Sequence, residues 1–80
     1  MSTNEYIRSA ASKYGWIKYY LTMRPVSIGT QPKKGMMDFI NYDSRKEVNG
    51  NHVWAEVYYN RYLSLDEMRE YEMIRIEGEL

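Results

Sequence analysis

The pair Asn49-Gly50, set between Val48 and Val53, constrains this chain more than any other feature. A type I′ turn needs positive φ at both central residues, and Asn-Gly supplies it at low cost. The flanking segments must then pair antiparallel, with their register fixed by the turn. "HVWAEVYYN", 52–60, alternates accordingly. Val53, Ala55, Val57 and Tyr59 share one side, and Trp54, Glu56 and Tyr58 share the other. "MMDFINY", 36–42, reads as the strand that enters the hairpin. A further strand is predicted over "WIKYYLTMR", 16–24. It places Ile17, Tyr19, Leu21 and Met23 on a core face, and Trp16, Lys18, Tyr20 and Thr22 on a partly wet one. Pro25 ends it, because proline cannot donate to a ladder.

Two helices complete the pattern. Residues 3–14 place Tyr6, Ile7, Ala10, Ala11 and Tyr14 at helical spacing. Ser2 and Glu5 have capping-box spacing, and Gly15 suits a left-handed stop. The apolar stripe is thin, so this helix is expected to dock loosely. In "LSLDEMREYEMIRI", Ser64 and Glu67 form a second capping box, and Leu63 and Met68 have hydrophobic-staple spacing. "MIRIE" alternates and reads as a brief last strand. The sum is a small α+β domain spanning 1–80: a mainly antiparallel sheet of three or four strands, with an N-terminal and a C-terminal helix. One or two helices are expected to cover a single face.

With 80 residues there is room for one core, burying only about 60–65% of the unfolded surface. The absence of cysteine removes disulfides, thiolate metal sites and cysteine nucleophiles. No run approaches the roughly 18 apolar residues of a membrane helix. The N-terminus lacks a signal-peptide core, so a soluble cytoplasmic protein is expected. Net charge is zero, which disfavours a general phosphate binder. The zero hides an asymmetry: residues 1–46 carry eight Lys or Arg, and residues 62–80 carry six acids. Such a dipole could steer a partner, or it could reflect two solvated faces that attract each other. Nine tyrosines are the compositional oddity. They suit interfaces, and equally a thin core capped by hydroxyls in water.

Three segments, "YYLTMRPVSIGTQPKKG" (19–35), "NYDSR" (41–45) and "AEVYYNRYLSLDEMREYEMI" (55–74), together resemble a group of small accessory proteins. These are encoded by phages, prophages and conjugative elements of gut-type Firmicutes. Their pattern resembles Y-L-T-x-R-P-x-x-x-G-T-x-P, a central F-D-S-R, and V-x-Y-x-R-x-L followed by an acidic helix ending Y-E-L-I. The likeness covers roughly residues 19–74. Asn60 and Met73 stand where the pattern often has Asp and Leu, and Asn41-Tyr42 replaces the start of the F-D-S-R piece. The resemblance implies a mobile-element setting and an accessory role, of which inhibition of a host defence nuclease, such as a CRISPR effector, is the most concrete form.

Catalysis has little support in these residues. His52 is the only histidine and lies beside the turn, as a surface or cross-strand residue would. Asp43 and Ser44 are adjacent, but nothing in the sequence links them to His52. One histidine and scattered carboxylates give no metal-ligand cluster, and no cofactor is implied. "GTQPKKG" has glycine and lysine without Walker spacing, and a strand rather than a helix follows it. Non-enzymatic protein binding is the leading reading. It uses the basic loop residues Arg24, Lys33 and Lys34, with Tyr20, Trp54, Tyr58 and Arg45, since aromatics beside Arg and Lys make interface anchors. The alternative is a single-stranded nucleic-acid module stacking bases on Trp16, Tyr20, Trp54 and Tyr58, unless Trp16 and Trp54 pack beneath the first helix. A third possibility is acidic mimicry of a phosphate track by Glu67, Glu70, Glu72, Glu77 and Glu79, against the plainer reading of a solvated face.

Overall fold

The computed structural model describes residues 3–23 and 32–76. The elements run α1 (Thr3–Tyr14), β1 (Ile17–Leu21), β2 (Met36–Val48), β3 (Asn51–Tyr59), α2 (Leu65–Glu70) and β4 (Met73–Ile74). The strands form one antiparallel sheet in the order β2-β3-β1-β4. The hairpin is the one the Asn-Gly pair dictates: Asn49 and Gly50 take φ of 52° and 83°, and Val48 pairs with Asn51. The register of β2 shifts between Met36 and Asp38 and again between Asn41 and Lys46. β2 therefore runs to Val48, well beyond the 36–42 segment expected, because the bulges absorb residues that break the alternation.

The helices lie on opposite faces of the sheet, not on one. Tyr19, Leu21, Ala55, Val57, Tyr59, Leu63 and Met73 form one cluster, against which Met68 and Tyr71 pack. Ile7 and Ala11 of α1 join Ile40 and Tyr58 in a second cluster, with Trp16 and Tyr42 against it. The reason is the alternation in β3: its even-numbered face carries large aromatic surface, and α1 shields it. The face of β1 expected to be partly wet is so in part: Tyr20 is buried, Trp16 and Lys18 are half-buried and Thr22 is exposed.

Both helix ends are built as their residues suggest. At the end of α1, Gly15 is left-handed and the Trp16 N–H donates to the Ala11 carbonyl, the six-to-one bond of a Schellman cap. The Ser2–Glu5 capping box falls outside the described residues. At α2, Ser64 Oγ accepts from the Glu67 N–H while Glu67 Oε1 accepts from the Ser64 N–H. Arg61 grips the same carboxylate through both Nη atoms, at 3.0 and 2.8 Å. The Arg61 hydrogen bonds and the cap hold Glu67 down to about 2.

Four tyrosines are core residues, not hydroxyl-capped surface. Tyr19, Tyr20, Tyr58 and Tyr59 are all buried. Tyr59 donates to the Pro32 carbonyl at 2.6 Å, tying down the start of the segment that leads into β2. The Tyr19 hydroxyl accepts from the Leu63 N–H at 2.9 Å, fixing the approach to α2. Tyr19→Phe leaves that buried N–H without its partner. The expected cost is about 1–3 kcal/mol in urea denaturation. Tyr6→Phe, at a side chain 69% exposed, should stay within about 0.5 kcal/mol.

Candidate functional site

The residues named from sequence do not converge. Arg24 lies outside the described residues. Lys33 and Lys34 are exposed just before β2, where the Lys34 carbonyl accepts from Arg61 Nε and the Asn60 N–H donates to Gly35. Arg45 is exposed on β2, with its guanidinium 5.9 Å from the half-buried Trp54 ring. Asn60 lies just past β3, six residues from Trp54 along the extended chain, so the lysine turn and the Arg45–Trp54 pair stand about 20 Å apart toward opposite ends of the sheet. Tyr20 and Tyr58 are 3% and 2% exposed beneath α1. The open aromatic platform expected from the alternation is therefore closed over these two residues. His52 is an exposed cross-strand neighbour of Glu47, with Nε2 3.9 Å from its carboxylate.

A charged network that sequence reading missed occupies that covered face. Glu56 is 2% exposed, in mid-strand between Val57 and Ala55. Arg8 Nη2 of α1 donates to its Oε2 at 2.6 Å. Lys18 Nζ lies 3.4 Å from Oε1, and the Tyr58 hydroxyl donates to Oε1 at 3.3 Å. Burial pushes the Glu56 carboxyl up, but hydrogen bonds from Arg8 and Tyr42, with the charges of Arg8 and Lys18, outweigh it. The net shift is downward, so the carboxylate stays ionised. Burial and the same carboxylate raise Tyr58, to about 12. One signal was visible in the sequence: Glu56 is the only charge on a strand face otherwise made of Trp54 and Tyr58, and such a position demands a cation.

The network is closed, with no face of Glu56 open to a substrate. The surface beside it is what a partner can reach. A cleft of about 480 Å³ runs along α1, lined by Arg8, Trp16, Lys18, Tyr20, Tyr62 and Arg75 among others. Arg75 lies 5.4 Å from the centre of the exposed Tyr62 ring. On the hairpin, Lys46 Nζ lies 4.5 Å from the Tyr42 ring, next to the Arg45–Trp54 pair. This side of the molecule is cationic and aromatic. The acids Asp66, Glu67, Glu70 and Glu72 lie in or just after α2, and Glu5 and Glu47 are exposed on α1 and on the hairpin. Among the described residues no group of three or more His, Cys, Asp or Glu stands together.

Removing a cation from beside a buried carboxylate leaves its charge half-paired, here with Lys18 alone, while Arg8 itself is partly exposed. Arg8→Met should cost about 1–3 kcal/mol in chemical denaturation. In a Glu56→Gln background the same replacement should cost under about 1 kcal/mol. Equal costs in the two backgrounds would remove the pair from the account.

No curated protein and no solved structure matches the chain. No helix among the described residues is long and apolar enough to cross a membrane. Residues 14–78, which take in the whole sheet and α2, match the family described as Defence against restriction A C-terminal. With most of its length inside that match, the chain belongs to the Defence against restriction A C-terminal family.

Proposed function

We propose that this protein serves a phage or mobile element in evading host defence, by binding a protein of the restriction machinery without itself doing chemistry. The observation that carries the reading is the family match over 14–78, whose description names defence against restriction. It also narrows the earlier reading of a defence-nuclease inhibitor: a restriction enzyme fits the description better than a CRISPR effector does.

The contact surface best supported is the hairpin patch of Tyr42, Arg45, Lys46 and Trp54. Arginine, tryptophan and tyrosine dominate interface energetics, and here two cation–ring pairs hold them side by side. Such a patch fits an acidic surface on the partner. The nucleic-acid alternative loses its main support, since Tyr20 and Tyr58 have almost no surface on which a base could stack. Acidic mimicry by α2 is weakened likewise, because Glu67 is already committed to Arg61 and to the helix cap.

The test is protection in cells. Producing the chain in a restricting host should raise the plating of unmodified phage by roughly tenfold or more. Arg45→Glu with Lys46→Glu should abolish that gain while leaving the urea transition in place. The matched pair Lys33→Glu with Lys34→Glu, at the far end of the sheet, tests the basic loop as a separate contact. Plating that is unchanged by the wild-type chain would refute the reading. Protection that survives the hairpin pair would move the contact elsewhere.

A further inference from the structure

The cleft along α1 is separate from the hairpin patch, and its lining has the chemistry of a ligand site. Its volume, about 480 Å³, falls in the range of about 300–1,000 Å³ in which proteins hold small molecules. Distant parts of the chain meet around it. Arg8 comes from α1, Trp16 and Lys18 from the entry to the sheet, Tyr62 from before α2, and Arg75 from just after β4. Among the described lining residues three are cations and none is an acid. Glu56 lies beneath that lining, 2% exposed, where it draws Arg8 and Lys18 to one place. The Arg8 side chain nevertheless keeps 42% of its surface exposed. The buried carboxylate thus holds two cations ready at an open surface, before any ligand arrives. Rings stand beside them. Tyr62 is exposed, with the Arg75 guanidinium 5.4 Å from its centre, and half-buried Trp16 is steadied by stacking on Tyr14 at 5.8 Å.

We propose that this cleft binds a single nucleotide, of the nucleoside monophosphate class. Its phosphate meets Arg8, Lys18 and Arg75, and its base lies against Trp16 and Tyr62. Guanidinium groups match phosphate oxygens with paired hydrogen bonds, and lysine adds a point charge. Aromatic rings hold a base by its face, whatever its sequence identity. Either half of the lining alone would suit a simpler ligand; cations and rings together call for an anion that carries a planar group. The site takes one nucleotide and not a strand. Tyr20 and Tyr58, the next rings along this face, are 3% and 2% exposed, and a second base finds nothing there to stack on. A chain of zero net charge is no general phosphate binder, but this lining is locally cationic. The inference is independent of any role in restriction, whose proposed contact is the hairpin.

An NMR titration of the full chain, isotope-labelled at nitrogen, tests it with three probes: adenosine monophosphate, adenosine and inorganic phosphate. Adenosine monophosphate should shift the Trp16 indole N–H and the amides of Arg8, Lys18, Tyr62 and Arg75, saturating with a Kd below about 1 mM. Adenosine and phosphate should each bind at least roughly tenfold more weakly, since each keeps only the stacking or only the charged hydrogen bonds. Arg75→Gln, at an exposed position, should weaken adenosine monophosphate roughly tenfold and leave the rest of the spectrum in place. Arg45→Gln on the hairpin should leave that affinity unchanged. Shifts that fail to saturate overturn the proposal, and so do shifts centred on the hairpin. Phosphate that binds as tightly as the nucleotide overturns it too, because the cleft would then be an anion site only. Undiminished binding by Arg75→Gln does the same. The three titrations of the wild-type chain decide without any variant.

Discussion

One ionised carboxylate sets the architecture on the N-terminal side of the sheet. Glu56 sits in the central strand pair, 2% exposed, among aromatic rings. A charge there is tolerable only if cations reach it, and the chain supplies two. Lys18 comes from the neighbouring strand, in the position next to Tyr58, and Arg8 comes from α1. The carboxylate thus does what the thin apolar stripe of α1 cannot do alone: it gives the helix a fixed place on the sheet. Tyr42 and Tyr58 turn their hydroxyls toward the same group, which orders the aromatic floor around it.

The opposite face is organised by apolar packing and by tyrosine hydroxyls. Val57, Tyr59, Tyr19 and Leu21 meet Leu63 and Met73 with almost no exposure. Tyr19 and Tyr59 meet edge-on at 5.8 Å and send their hydroxyls to backbone groups in the connecting segments. Cations stacked on rings gather around the hairpin and beside α1: Lys46 on Tyr42, Arg45 near Trp54 and Lys18 near Tyr20. With zero net charge, the molecule can carry this basic, aromatic surface without attracting polyanions in general.

Much of this was legible in the sequence, because short-range chemistry decides it. Asn49-Gly50 specified its turn, Gly15 its helix stop, and Ser64 with Glu67 its capping box. The alternation of β1 and β3 gave the correct partition of side chains. What remained hidden depended on distant contacts. Alternation says which residues share a face, but not which face a helix will cover, so it leaves the aromatic side either open or packed beneath the first helix. The Arg8–Glu56 pair spans 48 positions, and no local spacing connects a helix arginine to a mid-strand glutamate. The bulges of β2 hid its length, since the period of two is lost across Asn41–Lys46. The candidate contact residues were scattered for the same reason: closeness in sequence order does not bring Lys34 to Trp54.

The central claim is that Glu56 is a buried but ionised anchor. Its downward shift has a definite sign in folding. The stabilisation is fully present above the ordinary carboxylate range and is lost as pH falls through the lower native value. Selective carbon-13 labelling of the glutamates, with an NMR titration of the Glu56 carboxyl, measures this directly. The account predicts a midpoint below the ordinary value of about 4.3, moving upward when Arg8 is replaced by Met. A midpoint above the ordinary range in the wild-type chain would show a neutral buried acid, and would contradict the account.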